Sequence, residues 1–211
     1  MRSADRARQI LDCAKRVFAE RGFHAANVSH ICAAAGIGRG TLYQYFTNKR
    51  SVLEAILRET LERVRGLMER RRNVVFPPPE QVTRAAAIEF EARALLEVLQ
   101  VVFEDEHTLR ILLREAVGLD VDVEKILGEI DAALVEIVER DIVAAMEAGF
   151  LRPLDAHAVA IMIVGGTEKL ALAALRGRGP VDLEKLAREA TTLHAIGTFS
   201  DRLRVERTTG G

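Results

Sequence analysis

The sequence predicts an all-α chain of about nine helices, divided into a small front part and a larger rear part. Three observations lead there. Apolar residues recur at helical spacing in almost every segment, and strand-like alternation is hard to find. The run Phe76-Pro77-Pro78-Pro79-Glu80 stops a long helical pattern, because consecutive prolines neither donate backbone bonds nor continue a helix. Charge changes sign at the same point. Residues 1–76 hold fifteen Lys and Arg against seven Asp and Glu, a net of +8. Residues 77–211 hold fifteen against twenty-four, a net of −9, so the overall −1 conceals a basic front suited to an anionic partner.

The elements follow in order. Ile10, Leu11, Ala14, Val17 and Phe18 make one face of a first helix, stopped by Gly22. Short helices near 28–35 and 39–46 flank Gly36. A long helix runs from Lys49 to about Arg72, with Val52, Leu53, Ile56, Leu57, Leu61 and Val64 as its buried stripe. Behind the prolines come helices at about 80–103, 107–117, 122–148, 155–176 and 182–204. Breaks fall at 104–106, 118–120, 149–155 and 177–180.

Composition narrows the class. Hydrophobic residues make up 49% and charged residues 29%, enough apolar side chain for a globular core. Cys13 and Cys32 are too few for a disulfide framework and read as small packing residues of a reducing compartment. The charged N-terminus lacks a signal-peptide pattern, and no uninterrupted apolar stretch is long enough to span a bilayer. A soluble, cytoplasmic protein is expected, with no membrane partner.

Both tyrosines, Tyr43 and Tyr45, lie in one stretch with Arg39, Thr41, Gln44 and Lys49. Asn27 is a plausible N-cap for the helix before it, Ile31 and Ala35 face the core, and Gly36 sits where positive φ is wanted. Leu42 and Phe46 bury the second helix. That is helix-turn-helix spacing, in which the second helix enters the DNA major groove. The remaining positions, Arg39, Gly40, Thr41, Tyr43, Gln44 and Tyr45, would face outward. Gln44 suits an adenine edge, Arg39 guanine or phosphate, and the hydroxyls phosphate oxygens. Gly40 lets a backbone approach, and Lys49 behind the candidate cap Asn48 adds charge to a helix end that attracts anions.

Residues 8–54 resemble the DNA-binding domain of the TetR/AcrR family of bacterial transcriptional regulators. The resemblance lies in Ile10-Leu11, Phe18 with Gly22-Phe23, and Ile31-Cys32 with Ala35-Gly36-Ile37-Gly38. It continues through Gly40-Thr41-Leu42-Tyr43-Gln44-Tyr45-Phe46 with Lys49. Cys32, Gly38 and Ala26 stand where the family usually has Ala, Ser and Thr, so two of the family's usual hydroxyls are absent here. The resemblance implies a DNA-binding set of Asn27, Ser29, Arg39, Gly40, Thr41, Tyr43, Gln44, Tyr45 and Lys49. It also implies a helix-turn-helix domain at 1–48, a connecting helix at 49–76, and an effector-binding and dimerisation domain at 77–211.

Double-stranded operator DNA, a second copy of the chain and a small-molecule effector are the partners so implied, for a repressor released by its ligand. Pocket candidates are Phe90, Leu99, Phe103, His107, Arg110, Leu113, Leu134 and Ile137, six of them apolar, which suits a largely apolar effector. The helices at 155–176 and 182–204 are apolar over more than one face, so Ile163, Leu170, Leu186, Leu193 and Phe199 are expected at a dimer interface.

Several clusters read as ordinary structure: Arg70–Arg72 as a solvated helix end, the acids at 104–106 as helix-start stabilisers, and His157 and His194 as dimer-face or surface residues. No nucleophile–base constellation, phosphate loop or zinc spacing is present, so no enzyme, metal or cofactor is expected. An activator or ligand-free regulator of the same fold, or an enzyme or carrier built on the rear bundle, are the competing readings.

Overall fold

The first helix, α1 (Ser3–Arg21), ends where Gly22 takes φ +79°, a left-handed conformation that favours glycine. The computed structural model describes residues 3–71, 77–103, 105–176 and 182–198, the side chains of 3, 4, 102, 103, 174 and 196–198 excepted. After α1 come α2 (Val28–Ala35), α3 (Arg39–Tyr43) and α4 (Lys49–Arg70). A 3-10 turn (Pro79–Gln81) leads into α5 (Arg84–Phe103), and α6 (Glu106–Arg110) continues as a π-helical turn (Ile111–Glu115). Then follow α7 (Val121–Glu147), α8 (Ala156–Ala174) and α9 (Leu183–Thr198). Nine α-helices among the described residues match the all-α reading of the sequence. The fifth starts at Arg84 instead of 80, because the 3-10 turn absorbs the residues after the prolines.

The chain folds into two compact units that do not divide at the prolines. The first comprises residues 1–64 and 102–131, the second 65–101 and 132–211. The sequence reading missed this because the segment 102–131 returns to the front unit from far along the chain.

In the first unit, Ile10, Ala14 and Phe18 of α1, Ile31 of α2, Leu42 of α3 and Val52, Leu53, Ile56 and Leu57 of α4 are all buried. Lys15 pairs with Glu59 at 3.2 Å, and Gln9 Nε2 donates to the Ala35 carbonyl at 3.1 Å, fixing α1 to α4 and α2. Cys13 Sγ donates to the Ala34 carbonyl at 3.4 Å and Cys32 is buried; neither is in a disulfide. α6 and the π turn pack on α1. Asp105 caps α6 by accepting from His107 N–H at 2.9 Å, and Glu106 pairs with Arg110 at 3.2 Å, as helix-start and ladder residues should. Arg50 bridges Glu54 at 3.0 Å, Asp120 at 2.9 Å and Asp122 at 2.6 Å.

The second unit is built around Ala87, Val135, Ile142, Ala145, Phe150, Leu151, Ala160 and Ala195. Arg71, expected as part of a solvated helix end, is instead 8% exposed. Its Nε and Nη2 reach Asp141 at 3.1 and 2.5 Å, and its Nη1 reaches Glu97 at 3.0 Å. A buried guanidinium requires such partners. Arg72 lies outside the described residues.

α8 is long and apolar enough over Ala156–Ala173 to span a bilayer by length and composition alone, although Glu168 and Lys169 interrupt its apolar run.

Candidate functional site

The helix-turn-helix is fixed by its caps. Asn27 Oδ1 accepts the His30 amide at 3.1 Å, and His30 Nδ1 accepts the Asn27 amide at 3.3 Å, a reciprocal capping box. Asn27 is thus the cap the sequence indicated, with its oxygen spent on α2. Gly36 ends α2 at φ +64°, and the Ile37 amide returns to the Cys32 carbonyl at 3.0 Å. That closure aims α3 away from α2. Gly38 starts α3 without a side-chain cap, and fully buried Leu42 pins it down.

α3 ends at Tyr43 rather than at 46. The amides of Tyr45 and Phe46 both turn back to the Leu42 carbonyl, at 2.9 and 3.0 Å. The chain therefore tightens after Tyr43, and Tyr45 and Phe46 are half-buried. Arg39, Gly40, Tyr43 and Gln44 are exposed, Tyr43 by 52%, while Thr41 is half-buried. Arg39 Nη2 donates to Ser29 Oγ, which places both residues on the same rim. A Cβ built on Gly40 would meet no atom within 4 Å. The fold does not need glycine there, so the vacancy faces outward.

Lys49 occupies an unexpected place. Its ammonium donates to the carbonyls of Phe23, His24 and Ala26 at 2.6, 3.1 and 2.8 Å, and lies 4.5 Å from the centroid of the Phe23 ring. All three of its N–H donors are matched within the α1–α2 connection. Asn48 caps α4 as expected, its Oδ1 accepting the Ser51 amide at 2.9 Å.

The second unit holds an apolar cavity of about 120 Å³, partly open to solvent. Its walls include Phe90, Ala94, Leu95 and Val98 of α5, Val138 and Ile142 of α7, and Val159 and Ile163 of α8. Arg71, Glu91, Asp141, Thr191 and His194 supply its polar groups. A second space of about 240 Å³ adjoins it across Phe90, Glu91 and Ala145. Burial pushes the Glu91 carboxyl up to about 7, and pushes the His194 imidazole below its usual value. Desolvation also raises Asp141, against the pull of Arg71.

Of the pocket residues indicated by sequence, only Phe90 lines this cavity. Leu99 and Ile137 are buried elsewhere, and Leu134 is half-buried outside the wall. His107, Arg110 and Leu113 belong to the first unit, because α6 folds with it. The side chain of Phe103 lies outside the described residues. Ile163, expected at a dimer interface, faces the cavity instead, and so does His194. Leu170 and Leu193 are exposed, Leu186 is half-buried, and Phe199 lies outside the described residues. Glu91 was missed although a signal existed: it sits at helical spacing with Ala87, Ala94 and Val98, one acid in an apolar stripe.

A helix-turn-helix head with an outward face of hydrogen-bonding side chains, on a chain whose other unit encloses an apolar cavity, is the build of a DNA-binding transcriptional regulator. Comparison with known proteins agrees. Residues 10–56 match the family model for bacterial regulatory proteins of the tetR family. The HTH-type transcriptional repressor KstR2 of Mycolicibacterium smegmatis is 32% identical over 103 residues, 49% of this chain and 50% of that repressor. The match thus spans about half the length of that curated relative. The fatty acid degradation regulator FadR of Bacillus halodurans superposes with a TM-score of 0.76 at 21% identity, covering 93% of this chain and 98% of that one. FadR of Bacillus subtilis, solved with stearoyl-CoA, gives 0.71 at 22% identity over 90% and 97%. Residues 10–56 are thus similar to the tetR-family helix-turn-helix, and the whole chain shares its fold with these regulators.

Proposed function

We propose that the chain is a repressor that binds a palindromic operator as a homodimer and is released when a small molecule enters the cavity of its second unit. One observation carries the reading: Arg39, Gly40, Tyr43 and Gln44 face outward in a segment of net charge +8, and the side chains of Tyr43 and Gln44 have no hydrogen-bond partner among the described residues. Arg39 and Gln44 suit base edges, and Tyr43 suits a phosphate oxygen. Ser29, Thr41 and Tyr45 stand at the rim, while Asn27 and Lys49 act by holding the head in shape.

A second copy is favoured by α8. Ile161, Met162, Gly165, Gly166 and Leu170 are exposed along it, Met162 by 72%, and Leu193 on α9 is 71% exposed. No described residue crowds either glycine, so the helix accepts a cost of about 1 kcal/mol per glycine without an internal reason. A two-fold contact would cover the same apolar patch on both copies, and recognition helices roughly 34–36 Å apart would then meet successive major grooves.

The test is a gel shift with DNA from just upstream of the protein's own coding region. Binding that weakens steeply with salt is expected, at a slope of about −0.9 per neutralised phosphate in log K against log salt. Affinity unchanged between low and physiological salt would overturn the reading.

A further inference from the structure

We propose that the cavity of the second unit recognises an apolar ligand carrying a cationic nitrogen, with the Glu91 carboxylate as its counter-charge and the Thr191 hydroxyl as a further acceptor. The proposal rests on the reading of this cavity as the effector site and specifies its chemistry.

Most polar groups of the wall are already committed. Arg71 is closed by Asp141, Glu97 and the Ala94 carbonyl, the last at 3.3 Å, so its guanidinium offers little to an incoming anion. Asp141 is consumed by the same pair. His194 is engaged in an interaction of its own. Glu91 and Thr191 have no hydrogen-bond or ion-pair partner among the described residues, and both line the cavity.

Glu91 also borders the adjoining space lined by Pro77, Val82, Ala86 and Phe150, so a ligand in either space meets it. A carboxylate facing apolar walls is destabilised by lost hydration, and a ligand cation restores its charge through a charge-assisted hydrogen bond. An anionic head would face this carboxylate with no free cation among the described wall residues. The cavity therefore selects against carboxylate ligands and for ammonium or amidinium ones, with the apolar walls taking the hydrocarbon body.

Calorimetry on the full chain with three probes of equal tail length, decylammonium, decanol and decanoate, tests this directly. Decylammonium should bind about tenfold or more tightly than decanol, and decanoate weakest of the three. Glu91→Gln, nearly isosteric, should bring the ammonium-over-alcohol ratio close to one. Glu91→Asp should keep part of the preference, which a merely structural role would not do. Helical content by circular dichroism checks that both variants fold. If decanol or decanoate bind as well as decylammonium, or if Glu91→Gln leaves the ratio intact, the charge assignment is overturned while the cavity remains an effector site. If none of the three binds, the effector reading of the cavity falls and this proposal with it.

Discussion

Glu115 Oε2 accepts the backbone amide of Phe23 at 2.9 Å, joining the π turn to the loop between α1 and α2 across 92 residues of sequence. On its other side the Phe23 carbonyl accepts from Lys49 at 2.6 Å. The loop that launches the helix-turn-helix is thus held at both faces of one peptide residue. A Cβ at Gly22 would come within 3.2 Å of the same Glu115 oxygen, so glycine there serves both the turn and the close approach.

Replacing Glu115 by Ala should leave the Phe23 amide, on a residue that is itself buried, without a partner. The expected loss is about 1–3 kcal/mol of stability, with the unfolding midpoint falling accordingly. Urea melts monitored by helical circular dichroism measure it. An unchanged midpoint would mean that water replaces the carboxylate at no cost.

Lys49→Met keeps the stem of the side chain and removes the three bonds of its ammonium. Operator affinity should fall for all sequences, and the unfolding midpoint with it, while the salt slope of DNA binding stays as in the wild type. A lysine that touched a phosphate would instead lower that slope by about 0.9 when removed. Titrations at several salt concentrations separate the two roles.

Much of this head was legible in the sequence, because its determinants are local. Asn27, Gly36, Asn48 and the stripe Ile31, Ala35 and Leu42 act within a few residues of themselves, and each does what its type requires. The direction of Lys49 was not legible, since its carbonyl partners lie more than twenty positions away and backbone oxygens carry no sequence signature. The cavity was misplaced for a similar reason. Aliphatic residues at helical spacing mark a buried stripe, and the pattern does not distinguish a packed stripe such as that of Leu99 from a cavity wall such as that of Val98.

Two of the outward residues, Gly40 in α3 and Gln44 at its C-cap, should separate by role. Gln44→Ala should relax base preference, costing about 1–3 kcal/mol of discrimination at one base pair. Gly40→Ala should leave the fold intact or stabilise it by up to about 1 kcal/mol, since the Cβ has room within the protein. It should nevertheless weaken operator binding, because the methyl group occupies space a DNA backbone or base edge would use. Selection from randomised operators, beside thermal melts, checks both. A Gly40→Ala protein with wild-type affinity would place the DNA elsewhere.

The proposed two-fold contact is tested on α8. Met162→Glu puts a charge into the centre of the exposed apolar face without touching the cavity wall. An uncompensated charge buried at an interface costs several kcal/mol, so dimer dissociation should rise about 100-fold or more. Operator binding should weaken in parallel, because half-sites are then engaged singly. Sedimentation at micromolar concentration reads the first effect and gel shifts the second. A Met162→Glu protein that remains dimeric would remove this face from the interface.

Glu91 should also make stability depend on pH in a way that identifies it. Burial raises its pKa from the ordinary 4.5 to about 7 in the folded chain. The folded state therefore holds the proton more tightly than the unfolded chain does. This contribution is fully present below pH ~4.5 and is lost as pH rises through about 7. A shift of that size corresponds to about 3 kcal/mol between the two limits. Glu91→Gln cannot ionise, so its stability should lack this component, and the difference between wild type and variant should run against the wild type as pH rises from 5 to 8. Arg71, Asp141 and His194 line the same cavity in both proteins, so the difference curve cancels their direct contributions. Urea denaturation of both proteins at a series of pH values supplies that curve. A difference that stays flat over this range would mean that Glu91 is not desolvated in the folded chain, and the lost hydration argued to favour a cationic ligand would be absent.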